Sequence, residues 1–188
     1  MIQASFARPV GLFDHWFNKF VAKLTGGSYC HSEFIVSWPV DQLLETVNHT
    51  GGHINLRNEL SKMDANNVNL CFYVVWGDAC NYRLLKDQDV NAFHRMPNQT
   101  EYSTLPLDMN LSEEKKLVRF LFDQCNKDYD YLGALTYYLP LRKSQRVYDT
   151  YFCSQLMVCA LQHINRILNV NPSGVTPNKL YNLLLTSY

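Results

Sequence analysis

A single α+β domain is the fold class that the sequence predicts. Three observations predict it: an aromatic amphipathic stretch near the start, β-rich runs between residues 30 and 76, and helical periodicity from residue 110 onward. The chain of 188 residues, read as one domain over 1–188, is long enough to bury most of the surface an unfolded chain exposes. No repeat, low-complexity segment or linker divides it.

Taken in order, Leu12, Phe13, Trp16, Phe17, Phe20, Val21 and Leu24 recur at helical spacing, with Asp14, His15, Asn18, Lys19 and Lys23 on the other side. Gly26-Gly27 is the helix stop. The stripe is aromatic enough for peripheral contact with a membrane surface, but its polar side lacks the basic enrichment of membrane binders, so a core-facing helix is expected. Cys30 to Trp38 reads as a buried strand closed by Pro39, and Leu43 to Val47 as a second short strand followed by Gly51-Gly52. Asn69 to Trp76, rich in β-branched and aromatic residues, is the strongest strand. Gly77 to Pro106 reads as loop with short elements. Asn110 or Ser112 caps a helix to about Asn126, with Glu113 and Glu114 in its first turn and Leu117, Phe120, Leu121 and Cys125 inward. A tyrosine-rich stretch, Tyr129 to Gly133 and Tyr137 to Pro140, precedes a helix expected from Cys153 to about Leu168. Thr176-Pro177 then caps a last helix through Leu185.

Composition excludes several function classes. Hydrophobic residues make up 47% and charged residues 18%, the profile of a packed domain rather than a disordered chain. Lys and Arg total 17, as do Asp and Glu, so no basic excess marks the chain as a nucleic-acid binder. The densest basic stretch, Leu141 to Arg146, reads as a solvated loop. The N-terminal stretch has no uninterrupted apolar core, so no signal peptide is expected. No apolar run reaches the roughly 20 residues of a transmembrane helix. The six cysteines form no CxxC pair and are expected as free thiols of an intracellular, cytoplasmic protein.

Cys71 lies in an apolar strand, Cys125 on the inward side of a helix, Cys159 further along the Cys153 helix, and Cys80 in a loop. Cys153 differs because it opens a helix, where unpaired N–H groups and the positive helix end favour a thiolate. A thiol nucleophile needs a base within reach, and the base needs a third group to fix its tautomer. His31 heads an apolar strand. Glu45, flanked by Leu43-Leu44 and Val47, is a carboxylate in an apolar segment and the expected orienting group. Glu33 alternates with His31 on its strand and so shares its face, a rival for that role. Cys30 points away from His31 by the same alternation. Cys30, His31, His49 and His53 lack metal-ligand spacing, so no metal or other cofactor is expected.

The chain resembles the circularly permuted papain-like hydrolases of the NlpC type, the YiiX-like group, and more distantly the lecithin:retinol acyltransferases. The resemblance rests on Ser28 to Val36 as a histidine strand, Leu44-Glu45-Thr46 as an acidic strand, and Gly51 to Ile54 as a glycine turn. It continues with Tyr129 to Gly133, with Phe152-Cys153-Ser154-Gln155-Leu156 as the nucleophile motif, and with Thr176 to Leu180. The motifs span nearly the whole chain in family order, histidine before cysteine. Ser32-Glu33 departs from the small apolar residues usual after the histidine. The resemblance implies a permuted papain-like fold with a small antiparallel sheet against helices. It implies an amidase or peptidase-type hydrolase, or an acyltransferase, acting on a peptide-like or lipid-like acyl substrate. Cys153 would be the nucleophile, His31 the base, Glu45 the orienting group and the Tyr129 hydroxyl an oxyanion donor, with Tyr131 and Tyr151 as rivals for that last role. The alternative is a catalytically retired papain-like domain serving as a structural or interaction module, for example in a viral particle.

Overall fold

Ile2, Ala4 and Phe6 alternate with Gln3 and Ser5, and this segment forms strand β1 (Ile2–Pro9), an element the sequence pattern did not announce. The computed structural model describes residues 1–9, 16–75, 78–85, 100–136 and 149–187. Helix α1 (Trp16–Leu24) follows; the part of the expected helix before Trp16 lies outside the described residues. The expected histidine strand is β2 (His31–Pro39).

The expected second strand is instead a helix, α2 (Val40–Thr50), entered directly from Pro39. The reason lies in the spacing of its apolar residues. Val40, Leu43 and Val47 are buried at helical intervals of three and four. A strand would bury residue 45 along with 43 and 47, whereas a helix turns it about 200° away from Leu43, toward solvent. Gly51 (φ 66°) and Gly52 (φ 85°) end α2 with left-handed conformations that favour glycine. A short helix, α3 (Ile54–Leu60), leads to the strong strand β3 (Asn67–Tyr73).

Two strands, β4 (Asn81–Leu85) and β5 (Thr100–Leu107), occupy the stretch expected as loop, whose residues 77 and 86–99 lie outside the described residues, as does Trp76 at the end of the expected strand before it. Helix α4 (Leu111–Gln124) carries the expected cap: Asn110 accepts from the Glu113 N–H at 3.0 Å, and Glu113 accepts from the Asn110 N–H at 3.0 Å. The pair β6 (Asp128–Tyr129) and β7 (Thr150–Tyr151) is parallel and flanks α5 (Tyr131–Thr136). The expected stretches Tyr137 to Pro140 and Leu141 to Arg146 lie outside the described residues. Helix α6 (Cys153–His163) starts where expected but stops five residues early. Asn165 takes a left-handed φ of 64°, and the Arg166 N–H returns to the Leu161 carbonyl at 2.8 Å, closing the helix and leaving Leu168 exposed. A 3₁₀ turn (Pro172–Gly174) precedes α7 (Pro177–Ser187), where the Thr176 hydroxyl accepts from the Lys179 N–H at 3.2 Å.

The molecule is thus α+β, with an antiparallel sheet in the order β4-β3-β2-β1-β5. One sheet face, carrying Phe6, Phe34, Val36, Trp38, Leu70 and Phe72, packs with Leu117, Leu121, Leu156, Met157 and Leu161 of α4 and α6 into the main core. A smaller apolar cluster of Ile35, Cys71 and Leu85 lies on the other face. Trp38 Nε1 donates to buried Glu114 at 2.7 Å and ties α4 to the end of β2. Among the described residues no helix is long and apolar enough to cross a membrane.

The turn before β2 is held by Asn178 of α7. Its side chain accepts from the Tyr29 N–H (2.8 Å) and donates to the Tyr29 carbonyl (2.9 Å) and Thr25 hydroxyl (2.6 Å). Gly27 makes that approach feasible, because a Cβ there would stand 2.3 Å from the Asn178 oxygen. Asn178→Ala, which removes three hydrogen bonds, is expected to lower unfolding free energy by about 2 kcal/mol in urea titration. A change below about 0.5 kcal/mol, the level of an ordinary surface substitution, would contradict this role.

Candidate active site

Strand β2 and the start of α6 meet, and their meeting brings two of the expected site residues together. Helix α6 packs against β2, and Cys153 is its first residue. That start is fixed from several sides. Ser154 donates to the Val175 carbonyl at 2.6 Å, Gln155 donates to Ser173 at 3.3 Å, and the Gln155 oxygen accepts from the Phe152 N–H at 3.3 Å. All three of Cys153, Ser154 and Gln155 are buried, so the thiol sits in a rigid, nearly dry setting with 8% of its residue surface open.

His31, at the first position of β2, lies beside Cys153, close enough that each group shifts the other's titration. Its Nε2 lies 3.5 Å from Glu33 Oε2, an ion-pair distance at the outer limit of hydrogen bonding. The imidazole therefore stands between a sulfur and a carboxylate, with 19% of its side chain exposed. Burial pulls the His31 pKa down, but the close polar contacts with Cys153 and Glu33 and their negative charges outweigh it and carry it up to about 10. Burial acts on Cys153 in the opposite sense and would raise its pKa. The hydrogen bond and charge of His31, with backbone N–H groups of Ser32 and Ser154, reverse this and lower it. Both directions favour the thiolate–imidazolium form of the pair, with the carboxylate on the imidazole's other side.

That carboxylate is Glu33. Its side chain is 2% exposed, and Arg83 Nη2 approaches the same Oε2 at 3.7 Å. Burial would raise the Glu33 pKa, and the close contact and charge of His31, with the charge of Arg83, hold it below the usual carboxylate range. Glu45, the expected orienting group, is elsewhere. It lies on the solvent side of α2, about half exposed, in an ion pair with Lys115 of α4 at 3.1 Å. The helical conformation of its segment is the physical reason, since it turns Glu45 away from the core that a strand would have made it face. Glu33, the rival named by strand alternation, occupies the position beside His31.

Tyr129 stands at the end of β6, close enough that the negative charge of Cys153, after burial, raises its pKa and keeps the phenol protonated. Its protonated hydroxyl thus stands within electrostatic reach of the sulfur. The other cysteines contrast with Cys153. Burial pushes the Cys71 thiol well up, helped by the charge of Glu33, and carries Cys159 to about 12. Cys125 lies beside Cys80 and is raised by that contact and by burial. Arg83 is the site residue that sequence reasoning missed. Its one signal was a lone arginine among the apolar and aromatic residues of Tyr82-Arg83-Leu84-Leu85.

Comparison of the chain with known protein families, with curated proteins and with solved structures finds no match.

Site-resolved mass spectrometry of iodoacetamide labelling checks the electrostatics directly. At pH 6 Cys153 should label at least about tenfold faster than Cys71, Cys125 or Cys159, because its thiol pKa is lowered while theirs are raised, and the thiolate is the reacting form. His31→Ala should erase the advantage, whereas Glu45→Gln should leave it intact. Equal labelling of all four cysteines at that pH would refute the ion pair.

Proposed function

We propose that this chain is a thiol hydrolase of the circularly permuted papain-like, NlpC-type group. It cleaves an amide or ester bond of a peptide-like or lipid-like acyl substrate through an acyl-thioester on Cys153. The observation that carries the proposal is the chain of contacts from the Cys153 sulfur through His31 to the buried Glu33. A helix-start thiol, a strand imidazole and a buried carboxylate are the three groups that covalent acyl transfer needs. The order of the motifs along the chain, histidine strand first and nucleophile helix late, supports the permuted topology.

In the reaction, the Cys153 thiolate attacks the carbonyl carbon and forms the S–C bond, and the carbonyl oxygen becomes an oxyanion. The Cys153 backbone N–H, at the start of α6, and the Tyr129 hydroxyl are its donors. The imidazolium of His31 gives its proton to the leaving amine or alkoxide as the C–N or C–O bond breaks. His31, now neutral, takes a proton from water, which attacks the thioester. The C–S bond breaks, the acid product leaves, and the Cys153 thiolate is restored beside His31, which holds the proton it took from water as imidazolium. Glu33 keeps the His31 ring in one tautomer throughout and balances its charge. An acceptor alcohol or amine in place of that water makes the same site an acyltransferase.

The test is turnover of activated acyl esters and peptide amides, with intact-mass detection of the acyl-enzyme. Cys153→Ala should abolish both the acyl adduct and turnover. Glu33→Gln should lower kcat by about a hundredfold, the scale of a lost acid–base contribution, while Glu45→Gln leaves it unchanged. Adduct formation that survives Cys153→Ala would overturn the proposal.

A further inference from the structure

The contacts around Glu33 continue past the three residues that act on substrate. Glu33 on β2 and Arg83 on β4 are separated by β3, whose Cys71 pairs in register with Arg83. The arginine must reach across that strand, close to 10 Å of sheet at ordinary strand spacing, to bring Nη2 to 3.7 Å from Glu33 Oε2. It does so over the ring of Tyr73, with the guanidinium carbon 5.2 Å from the ring centroid, a cation–π contact that fixes its course. Arg83 and His31 therefore converge on one oxygen of one buried carboxylate. The Oε1 atom is buried and makes no direct hydrogen bond, so cations on Oε2 carry most of the compensation of the charge.

We propose that Arg83 is a positioning residue of the site, which anchors the Glu33 carboxylate and through it orients His31 toward Cys153. This rests on the thiol hydrolase reading above and deepens it by adding a fourth member. Among the described residues, the titratable groups facing Glu33 are His31 of its own strand, Cys71 of β3, Arg83 of β4 and Tyr102 of β5. Burial raises the pKa of Cys71 and of Tyr102, and the charge of Glu33 raises both further, so both are neutral at neutral pH. Only His31 and Arg83 in that set bring positive charge. When His31 loses its proton during turnover, Arg83 is the cation that remains, and it keeps the carboxylate in place for the proton's return.

The sign of the effect is fixed. A carboxylate whose pKa is lowered works above that pKa and fails as pH falls through it. Removing Arg83 weakens the lowering, so the acid limit of the site moves up. The experiment is the rate of iodoacetamide labelling at Cys153 between pH 4 and 9, read by mass spectrometry on the intact chain and its variants. Arg83→Gln should shift the acid limb upward by about one unit, a tenfold loss of labelling on that limb, and Arg83→Lys should restore most of it. In a Glu33→Gln background, Arg83→Gln should add no further shift. An unshifted limb in Arg83→Gln, or an equal shift without Glu33, overturns the proposal. If Arg83→Gln does not fold, ¹³C NMR titration of the Glu33 carboxyl in the unaltered chain and in Arg83→Lys replaces it. Ionisation held below the ordinary carboxylate range in both supports the role, and an ordinary range in either overturns it. Wild-type labelling that is slow at every acidic pH refutes the hydrolase reading itself, whereas a fast wild type that Glu33→Gln slows and Arg83→Gln does not refutes Arg83 alone.

Discussion

A carboxylate with 2% of its surface exposed, set within a β-sheet, persists in charged form only beside cations that share its burial. Glu33 is that carboxylate, and its dependence on His31 runs in both directions. The imidazole keeps its proton because a negative group stands on either side of it, and Glu33 stays ionised because the proton is there. Cys153 is the second negative group, and its low pKa is the same interaction read from the sulfur. Removing the imidazolium leaves two buried negative groups, of which Glu33 keeps Arg83 as its remaining cation. The residues are thus tied energetically before any substrate arrives.

The surrounding structure holds these charges at fixed distances. Residue alternation puts His31 and Glu33 on one face of β2 without any loop between them, so their spacing is a property of the strand. Helix α6 reaches the strand with its start clamped by Val175, Ser173 and its own Gln155. The turn leading into His31 is clamped in turn by Asn178 of α7 against Gly27. Residues 173–178, late in the chain, therefore brace both the thiol and the imidazole. This gives a physical reason for the Thr176-Pro177-Asn178 segment to belong with the site motifs although none of its side chains carries chemistry.

Much of this was legible in the sequence. Cys153 stood out because it opens a helix, and His31 because it heads an apolar strand; periodicity fixed both contexts. Asn110 and Glu113 announced the α4 cap through local spacing alone. What failed was the reading of short apolar segments. Leu43 to Val47 satisfies a strand and a helix equally well over five residues, and only the burial of Val40 three positions earlier settles it as a helix. Glu45 fell with that assignment, since its role required a strand. Glu33 was available by alternation but sits beside residues so apolar that its charge looked unwelcome there. The partner that makes it tolerable, Arg83, comes from a strand two positions across the sheet, and no local pattern encodes a contact of that kind. The stop at Asn165 was equally hidden, because Ile164 and Leu168 continue a helical stripe that the left-handed turn interrupts.

The central claim is that His31 is an imidazolium held between Cys153 and Glu33. Heteronuclear NMR of the His31 ring nitrogens tests it without reference to any substrate. With a pKa carried up to about 10, both ring nitrogens should still bear protons at pH 8, where an ordinary histidine is neutral. A His31 ring that titrates near pH 6.5 and is neutral at pH 8 would contradict the account.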